Sequence, residues 1–297
     1  MRTAGVSTIR KSSDDQRCLA MNLNADFGAR AAVHAARLDW TPSPILGVER
    51  RMLDRIGDEV ARATSMVRYA PHSHFSAHTH GGGEKFLVLD GVFQDDHGDY
   101  PEGTYVRNPP TSRHTPGSEP GCTIFVKLWQ FDPDDRTQLR IDTRALAFGP
   151  APDRPGVELA ALFENACERV RLERWASGAV IDMPAQGGIE LLVLDGSFEE
   201  AREEFISHSW LRLPAASRLQ ATAGRDGCKV WVKSDHLARD LRFPTAAATG
   251  RSRISAGREA AWFPEAQTPH CAIKPPSITS SVPVMNEASS EARNSTP

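Results

Sequence analysis

The sequence feature that most constrains the fold is an internal repeat. Four short blocks recur in the same order, and each second copy follows its first by 105 to 109 residues. The paired blocks are GVERRMLDRIGDEV and GVELAALFENACERV, VLDGVF and VLDGSF, PPTSRH and PAASRL, and GCTIFVK and GCKVWVK. A nearly fixed offset in a fixed order is the signature of a tandem duplication. We therefore expect two copies of one domain of roughly 100 residues.

Short β-strands dominate both copies. Residues Arg62–Tyr69, 86–89 and 122–131 are rich in β-branched and aromatic side chains, and Gly or Pro separates such runs about every ten residues. This punctuation is typical of a β-sandwich or a barrel. Segment 48–63 can also be read as a helix, but Gly57 and the continuing strand pattern favour two strands. The sequence predicts an all-β fold.

Histidines crowd into the first copy. Six of the ten lie within one short stretch: His72, His74, His78, His80, His97 and His114. Because strand side chains alternate between faces, His78 and His80 point the same way. Glu84 follows three glycines later, and His114 lies 30 residues beyond it. Three imidazoles and one carboxylate suit a first-row divalent metal such as zinc, iron, nickel or manganese.

The segments that carry His78, His80 and Glu84 and that carry His114 resemble the two motifs of the cupin superfamily. HTHGGGEKFLVLDG matches the first motif, HxH-x3-4-E-x6-G, and GTYVRNPPTSRH matches the second, G-x5-P-x4-H. Thr111 stands where the second motif usually has glycine. The resemblance implies two tandem cupin jelly-roll β-barrels, the leading one holding a single divalent ion at its mouth. It implies zinc or iron first, with nickel and manganese as alternatives, and these ligands: His78, His80, Glu84 and His114.

Residues 40–131 are more closely similar to the ChrR-like cupins, through HTHGGGE, VLDGVF, YVRNPPTSRHTP and GCTIFVK. That group contains the C-terminal domain of zinc-binding anti-sigma factors and stand-alone cupins related to diketone and acetophenone dioxygenases. The resemblance implies a non-haem metal dioxygenase acting on a small carbonyl or diketone-type compound. The alternatives are a zinc-binding sensor or regulatory protein of the anti-sigma type and an inert structural bicupin.

The anti-sigma members carry an additional helical zinc domain with a histidine and paired cysteines. Residues 1–40 contain only His34 and Cys18 of these residue types. We therefore expect no sigma factor as partner and place the dioxygenase ahead of the regulator. The sequence identifies no catalytic residue beyond the metal ligands.

The second copy lacks the ligand set. Its aligned residues are Pro184 for His78, Gln186 for His80 and Leu219 for His114. Glu190 can match Glu84 only if the register slips by one residue. We therefore predict a degenerate, metal-free second cupin.

Other polar residues of the first copy receive weaker assignments. Tyr105 and Arg107 are our candidates for polar groups of a substrate pocket, although most inward residues of a barrel are packing. His72 and His74 are expected on the strand leading into the barrel. His97 lies in DDHGD, which is typical of a solvated hairpin turn.

Composition narrows the partners and the compartment. Lys and Arg number 35 against 38 Asp and Glu, and this near balance argues against a nucleic-acid partner. No apolar run approaches the length of a membrane span, and the first 20 residues have no apolar core. Five cysteines without CxxC spacing fit reduced cytosol. We therefore expect a cytoplasmic protein. The resemblance to cupins implies a small-molecule ligand and barrels that associate in tandem or in a homodimer.

The predicted organisation has four parts. They are a disordered extension (1–20), the metal-binding ChrR-like cupin (21–145), the metal-free cupin (146–246) and a mostly disordered tail (247–297). The two end segments are polar or rich in Ser, Pro and Ala, and they cannot bury enough apolar surface to offset the entropy of ordering.

Overall fold

The two repeats fold as two β-barrels in tandem. A computed structural model describes residues 22–57 and 60–238 of the chain. The expected all-β fold with two cupin jelly-roll barrels is confirmed, and the helical content of the described residues is one short 3-10 turn, Ala35–Arg37. None of these residues forms a helix with the length and apolar character that crossing a bilayer requires. Both end segments that were expected to be disordered, 1–20 and 247–297, lie outside the described residues. The predicted domain boundaries stay predictions.

The strands before and within the leading barrel are short apart from four. They are β1 (Asn22–Leu23), β2 (Ala31–His34), β3 (Thr41–Pro42), β4 (Val48–Ile56), β5 (Arg62–Tyr69), β6 (Ser73–His74), β7 (His78–Thr79), β8 (Glu84–Asp95), β9 (Gly98–Pro101), β10 (Thr104–Asn108), β11 (Arg113–His114), β12 (Gly117–Ser118), β13 (Cys122–Leu128) and β14 (Leu139–Asp142).

The trailing barrel has fewer and longer strands. They are β15 (Gly149–Pro150), β16 (Val157–Glu164), β17 (Arg169–Trp175), β18 (Val180–Ala185), β19 (Ile189–Glu200), β20 (Glu203–Ile206), β21 (Ser209–Leu213) and β22 (Ser217–Ser234).

The ambiguous segment 48–63 forms parts of two antiparallel strands, as predicted. β4 pairs with β5 along nearly its whole length, with a bulge between Met52 and Asp54. The strand expected over 122–131 ends earlier, at Leu128, because Trp129 adopts a positive φ of 57° that leaves the β region.

The main sheets of the two barrels have equivalent strand orders. The leading order is β1-β4-β5-β13-β8-β10-β14, and the trailing order is β15-β16-β17-β22-β19-β21-β2. The glycine that ends each repeated VLDG block, Gly91 and Gly196, lies against the backbone of a neighbouring strand. A Cβ on Gly91 would lie 2.1 Å from the carbonyl oxygen of Gly121, and a Cβ on Gly196 would lie 2.2 Å from that of Gly227.

Each barrel borrows an edge strand that precedes the other repeat. β2 lies before the leading repeat but pairs with β21 of the trailing barrel, where Ala31 faces Arg212. β14 lies before the trailing repeat but pairs with β10 of the leading barrel, where Leu139 faces Arg107. Because both exchanges occupy the same position in the two sheets, the barrels are joined by a reciprocal strand exchange.

The central strands of the leading sheet bury both faces. One alternating set of side chains fills the interior of the leading barrel: Phe86, Val88, Val106, Ile124 and Val126. The other set points at the trailing barrel: Lys85, Leu87, Tyr105, Arg107, Phe125 and Lys127. At the centre of this contact the rings of Phe125 and Trp231 meet edge to face, with centroids 5.0 Å apart.

Two trailing carboxylates compensate the leading cations at this contact. Glu168 lies 2.5 Å from Lys85 Nζ, 2.8 Å from Lys233 Nζ and 2.9 Å from Arg107 Nη2. Burial would raise the pKa of Glu168, but these positive charges outweigh burial and hold its pKa well below its usual range. Glu190 accepts from Lys127 Nζ at 2.5 Å and from the indole of Trp210 at 2.7 Å. A buried charge is tolerated only with such partners, so the two barrels fit each other in one arrangement.

A tight turn after β10 sets the position of the second histidine motif. The amide of Thr111 donates to the carbonyl of His80 at 2.9 Å, and the amide of His80 donates to the carbonyl of Ser112 at 2.9 Å. Thr111 holds a φ of +74°, the left-handed region that glycine adopts without strain. The replacement of the usual motif glycine therefore leaves a β-branched residue in a strained turn.

We predict that Thr111→Gly stabilises the protein. Relief of the left-handed strain outweighs the larger entropy of the unfolded glycine chain, for a net gain of about 1 kcal/mol. Thr111 is exposed, so the change removes no buried contact. Urea unfolding measures the difference. Thr137→Gly, at an exposed position without a positive φ, is the control and should lose stability; a loss in both variants contradicts the strain argument.

Candidate metal centre

Three imidazoles meet at the mouth of the leading barrel. β7 and β11 pair antiparallel, so that His78 faces His114 directly, and His80 follows at the end of β7. The ring centroids are 4.8 Å apart for His78 and His80, 4.8 Å for His78 and His114, and 4.7 Å for His80 and His114. One ligand nitrogen from each ring lies within 4.8 Å of the other two.

Glu84 adds a carboxylate to this group. It is the first residue of β8, and its Oε2 lies 3.5 Å from Nε2 of His80 and 3.9 Å from Nε2 of His114. The amide Nδ2 of Asn108 donates to the same oxygen at 3.5 Å. The structure thus brings together all four side chains that the sequence motifs single out.

The donor spacing fits a divalent cation. Nε2 of His80 and Nε2 of His114 lie 3.1 Å apart. Two nitrogens bound at about 2.1 Å to one ion are separated by about 3.0 Å at a right angle and about 3.4 Å at a tetrahedral angle. His80 and His114 are buried while His78 is exposed, so the group closes towards the barrel and opens towards solvent.

Asp95 orients one of the imidazoles, and sequence reasoning missed it. Its Oδ2 lies 3.0 Å from Nδ1 of His114. Because a carboxylate only accepts, Nδ1 carries the proton and Nε2 is left free as a ligand. Asp95 ends β8 in the predicted hairpin, but its side chain turns inward and is only 2% exposed, which no spacing in the sequence indicated.

The electrostatics of the group follow from burial and from Asp95. Burial lowers the pKa of His80, which favours the neutral form that ligates a metal. Burial also lowers the pKa of His114, but the hydrogen bond to Asp95 and the negative charges of Glu84, Asp95 and Asp96 together outweigh burial, and the net shift is upward. Burial raises the pKa of Asp95, yet the hydrogen bonds from His114, from the His97 amide and from Tyr100 bring it below its ordinary value.

The three-glycine loop of the first motif is covered by an indole ring. A Cβ on Gly82 would lie 2.2 Å from Cδ2 of Trp129, so a side chain there cannot coexist with the ring. Trp129 is held in its left-handed conformation while its amide donates to the carbonyl of Gly83 at 3.2 Å. The close approach of loop and ring explains why glycine separates His80 from Glu84.

A cavity of about 720 Å³ opens beside this group. His78, His80 and Glu84 line it together with Trp129. Most of the remaining wall is apolar and includes Val48, Val67, Ile124, Val126 and Leu128. Its size lies within the range of small-molecule sites in proteins.

Two predicted pocket residues lie elsewhere. Tyr105 and Arg107 do not line the cavity; they are buried on the opposite face of the sheet, against the trailing barrel. Arg107 donates to Asp135 at 2.8 Å and to Glu168 at 2.9 Å. The assignment to the substrate pocket is therefore corrected: strand alternation directs these side chains out of the barrel.

The other histidines of the first copy also lie apart from the metal-ligand group. His72 and His74 contact Glu119 at the surface, at 2.9 and 2.8 Å. His97 lies in the hairpin, as predicted, and its Nε2 is 3.2 Å from the carbonyl oxygen of Arg113.

The trailing barrel has apolar side chains at the four ligand positions. β18 pairs with β22 so that Met183 faces Leu219, as His78 faces His114. The register of the ladders thus gives Met183 and Ala185, not Pro184 and Gln186, as the equivalents of His78 and His80. Ile189 takes the place of Glu84, and Glu190 instead reaches the barrel contact. None of the four positions offers a nitrogen or carboxylate donor, and absence of metal from this barrel stays our prediction.

Comparison with known proteins agrees with this architecture. Residues 28–132 match the family described as "ChrR Cupin-like domain". A search of the curated proteins finds no match. Among solved structures, a "putative dioxygenase" from Nostoc punctiforme has a TM-score of 0.58 at 15% identity, covering 73% of this chain and 86% of that one.

Two further solved structures are similar over comparable lengths. The protein Ylba from E. coli has a TM-score of 0.54 at 14% identity, covering 75% of this chain and 96% of its own. The "putative glyoxylate induced protein" from Pseudomonas aeruginosa has a TM-score of 0.55 at 15% identity, covering 81% and 96%. At such identities the likeness concerns the fold alone. These shares are too large for one barrel, so both barrels take part in the similarity.

The two-motif histidine cluster, the paired jelly-roll barrels and the family match lead to one conclusion. Residues 28–132 match the family of ChrR cupin-like domains, and the described chain has the cupin fold in two β-barrels.

Proposed function

We propose that the leading barrel binds one divalent metal ion through His78, His80, Glu84 and His114. With iron bound, we propose that it acts as a non-haem dioxygenase on a small carbonyl or diketone-type compound. The observation that carries this proposal is the convergence of three imidazole nitrogens within 4.8 Å beside a cavity of small-molecule size. Iron(II) supplies oxygen chemistry in such sites, whereas zinc supplies only Lewis-acid polarisation.

The chain itself orients the imidazoles and lines the adjoining cavity with apolar side chains. Asp95 fixes the tautomer of His114, and burial keeps His80 neutral. The wall of the cavity beside the site is largely apolar, and the indole of Trp129 covers the glycine loop. A polar group of a ligand that reaches the histidines is thus held with its apolar body against Val126 and Leu128.

A zinc-binding regulatory role is the second candidate. The observation that favours it is the match of residues 28–132 to a family named for ChrR. Zinc in the natively purified protein, together with absence of oxygen consumption, supports this candidate over the dioxygenase.

The test of the proposal is metal content and oxygen uptake in matched histidine variants. We expect about one divalent ion per chain in the wild type, loss of that ion in His80→Ala, and full retention in the control His97→Ala. The reason is that His80 faces the proposed ion while His97 contacts a surface carbonyl. Elemental analysis measures the metal, and an oxygen electrode with acetylacetone as substrate measures turnover. Equal metal content in both variants refutes the site.

Removal of the Asp95 charge should lower the metal affinity of the site without removing a ligand. We expect Asp95→Asn to lower metal affinity by roughly 10- to 100-fold, the usual effect of losing a partner behind a ligating imidazole. Competition with a chromogenic chelator measures the affinity. Asp99→Asn, at an exposed position on the same hairpin, should leave it unchanged. Identical affinities in the two variants contradict the orienting role of Asp95.

Acid should release the metal. Because a protonated imidazole cannot ligate, affinity falls as pH drops through the imidazole range near 6.5. The raised pKa of His114 makes this residue bind its proton at a higher pH than an ordinary histidine, so the loss begins above that value. We therefore expect the increase in Tm on metal addition to be largest near pH 7.5 and to vanish by about pH 5. Calorimetry with and without chelator measures it, and a pH-independent increment excludes imidazole ligands.

A further inference from the structure

The cavity beside the metal centre has basic side chains on its described walls. Arg50 and Arg55 line it, and Glu84 is the one acidic side chain among the described lining residues. A divalent ion held by Glu84 would add positive charge to this cavity. A basic side chain within a largely apolar wall attracts anionic organic ligands.

Arg50 faces this cavity from strand β4. It follows Val48 by two residues, and Val48 belongs to the interior core of the leading barrel. In the ladder Arg50 pairs with Val67, which lines the same cavity. The alternation of the strand therefore directs the guanidinium into the barrel and not to the outer surface.

The guanidinium of Arg50 has no hydrogen-bond or ion-pair partner within the part of the chain that the structure describes. This distinguishes it from the fully buried arginines, because Arg107 is paired with Asp135 at 2.8 Å and Arg212 with Asp54 at 3.0 Å. Arg50 is itself half-buried, and burial lowers its pKa, although a guanidinium stays protonated. A desolvated cation with a fixed fork of donors is suited to bind a carboxylate.

We propose that the cavity takes a small organic carboxylate with an apolar body, and that Arg50 binds the carboxylate group. This deepens the proposed function, on which it rests for the polar group that reaches the histidines, but the contact with Arg50 requires no metal. The apolar body lies against Val67, Ile124 and Val126. The histidines on β7 and Arg50 on β4 thus give the ligand site a group that can hold a metal ion and a group that can bind a carboxylate.

The test compares 4-phenylbutyrate with its neutral amide, 4-phenylbutyramide, by isothermal titration. We expect the wild type to bind the acid at least tenfold more tightly than the amide, because the amide lacks the negative charge and the second acceptor oxygen that pair with the guanidinium. In Arg50→Gln the acid should bind at least tenfold more weakly, and the preference for the acid should disappear. Arg50→Lys keeps the charge and should retain part of the preference.

Arg68→Gln is the matched control. Arg68 lies on the neighbouring strand β5, pairs with Glu49 on the outer face and does not line the cavity. The Arg68→Gln variant should bind both compounds as the wild type does. Equal binding of acid and amide, no binding of either, or unchanged binding in Arg50→Gln overturns the proposal. A preference that disappears on chelation but survives in Arg50→Gln also overturns it, since the acid would then bind the metal.

Elemental analysis of the same samples separates this proposal from the proposed function. Arg50→Gln should keep its full metal content, because Arg50 is not a ligand. If the wild type binds no metal but still prefers the acid through Arg50, the metal site is refuted and the carboxylate site stands. If the wild type binds metal but Arg50→Gln does not change binding of the acid, the carboxylate site is refuted and the metal site stands.

Discussion

The sheet formed by β5, β13, β8 and β10 buries both of its faces, and everything else in the molecule depends on that constraint. Because side chains alternate, each strand serves two environments at once. Glu84 points into the leading barrel towards the histidines, while the next residue, Lys85, points out to Glu168. A slip of one residue would exchange them and place a lysine at the metal site and a glutamate at the barrel contact. The register of β8 is therefore fixed by charge on both faces.

The two copies have diverged in complementary ways. Register equivalence places Lys85 of the leading barrel at the position of Glu190, and Arg62 at the position of Glu168. Leading cations thus meet trailing anions where two identical copies would meet with like charges. Inside the barrels the copies differ in polarity, because the leading copy has the histidine cluster and a cavity. In the trailing copy Ile189 and Leu219 are part of the apolar core.

Much of the fold and of the site could be predicted from sequence, because the fold is encoded in a repeat and the site in two motifs of fixed spacing. The repeat gave the number of barrels, and the two histidine motifs identified the four side chains that meet at the mouth. The destination of Tyr105 and Arg107 could not be predicted, since a strand buried on both faces carries no polar-to-apolar alternation to say which face is which. The sequence comparison matched His78 with Pro184, 106 residues later. The strand pairing of this stretch follows an offset of 105 residues instead and matches His78 with Met183. Asp95 looked like part of a solvated turn, and only the folding of the hairpin onto β11 shows its contact with His114.

The exchange of β2 and β14 gives the chain the connectivity of a swapped dimer fused into one polypeptide. Each barrel leaves one sheet edge to be covered by a segment encoded next to its neighbour. Neither half is self-sufficient: a chain shortened to the trailing repeat would present the bare edge of β21, with the unpaired amides and carbonyls that invite association with another molecule. The duplication thus tied the copy that carries the histidine cluster to a copy without one, and loss of the second copy would uncover β2 and the outer face of the leading sheet.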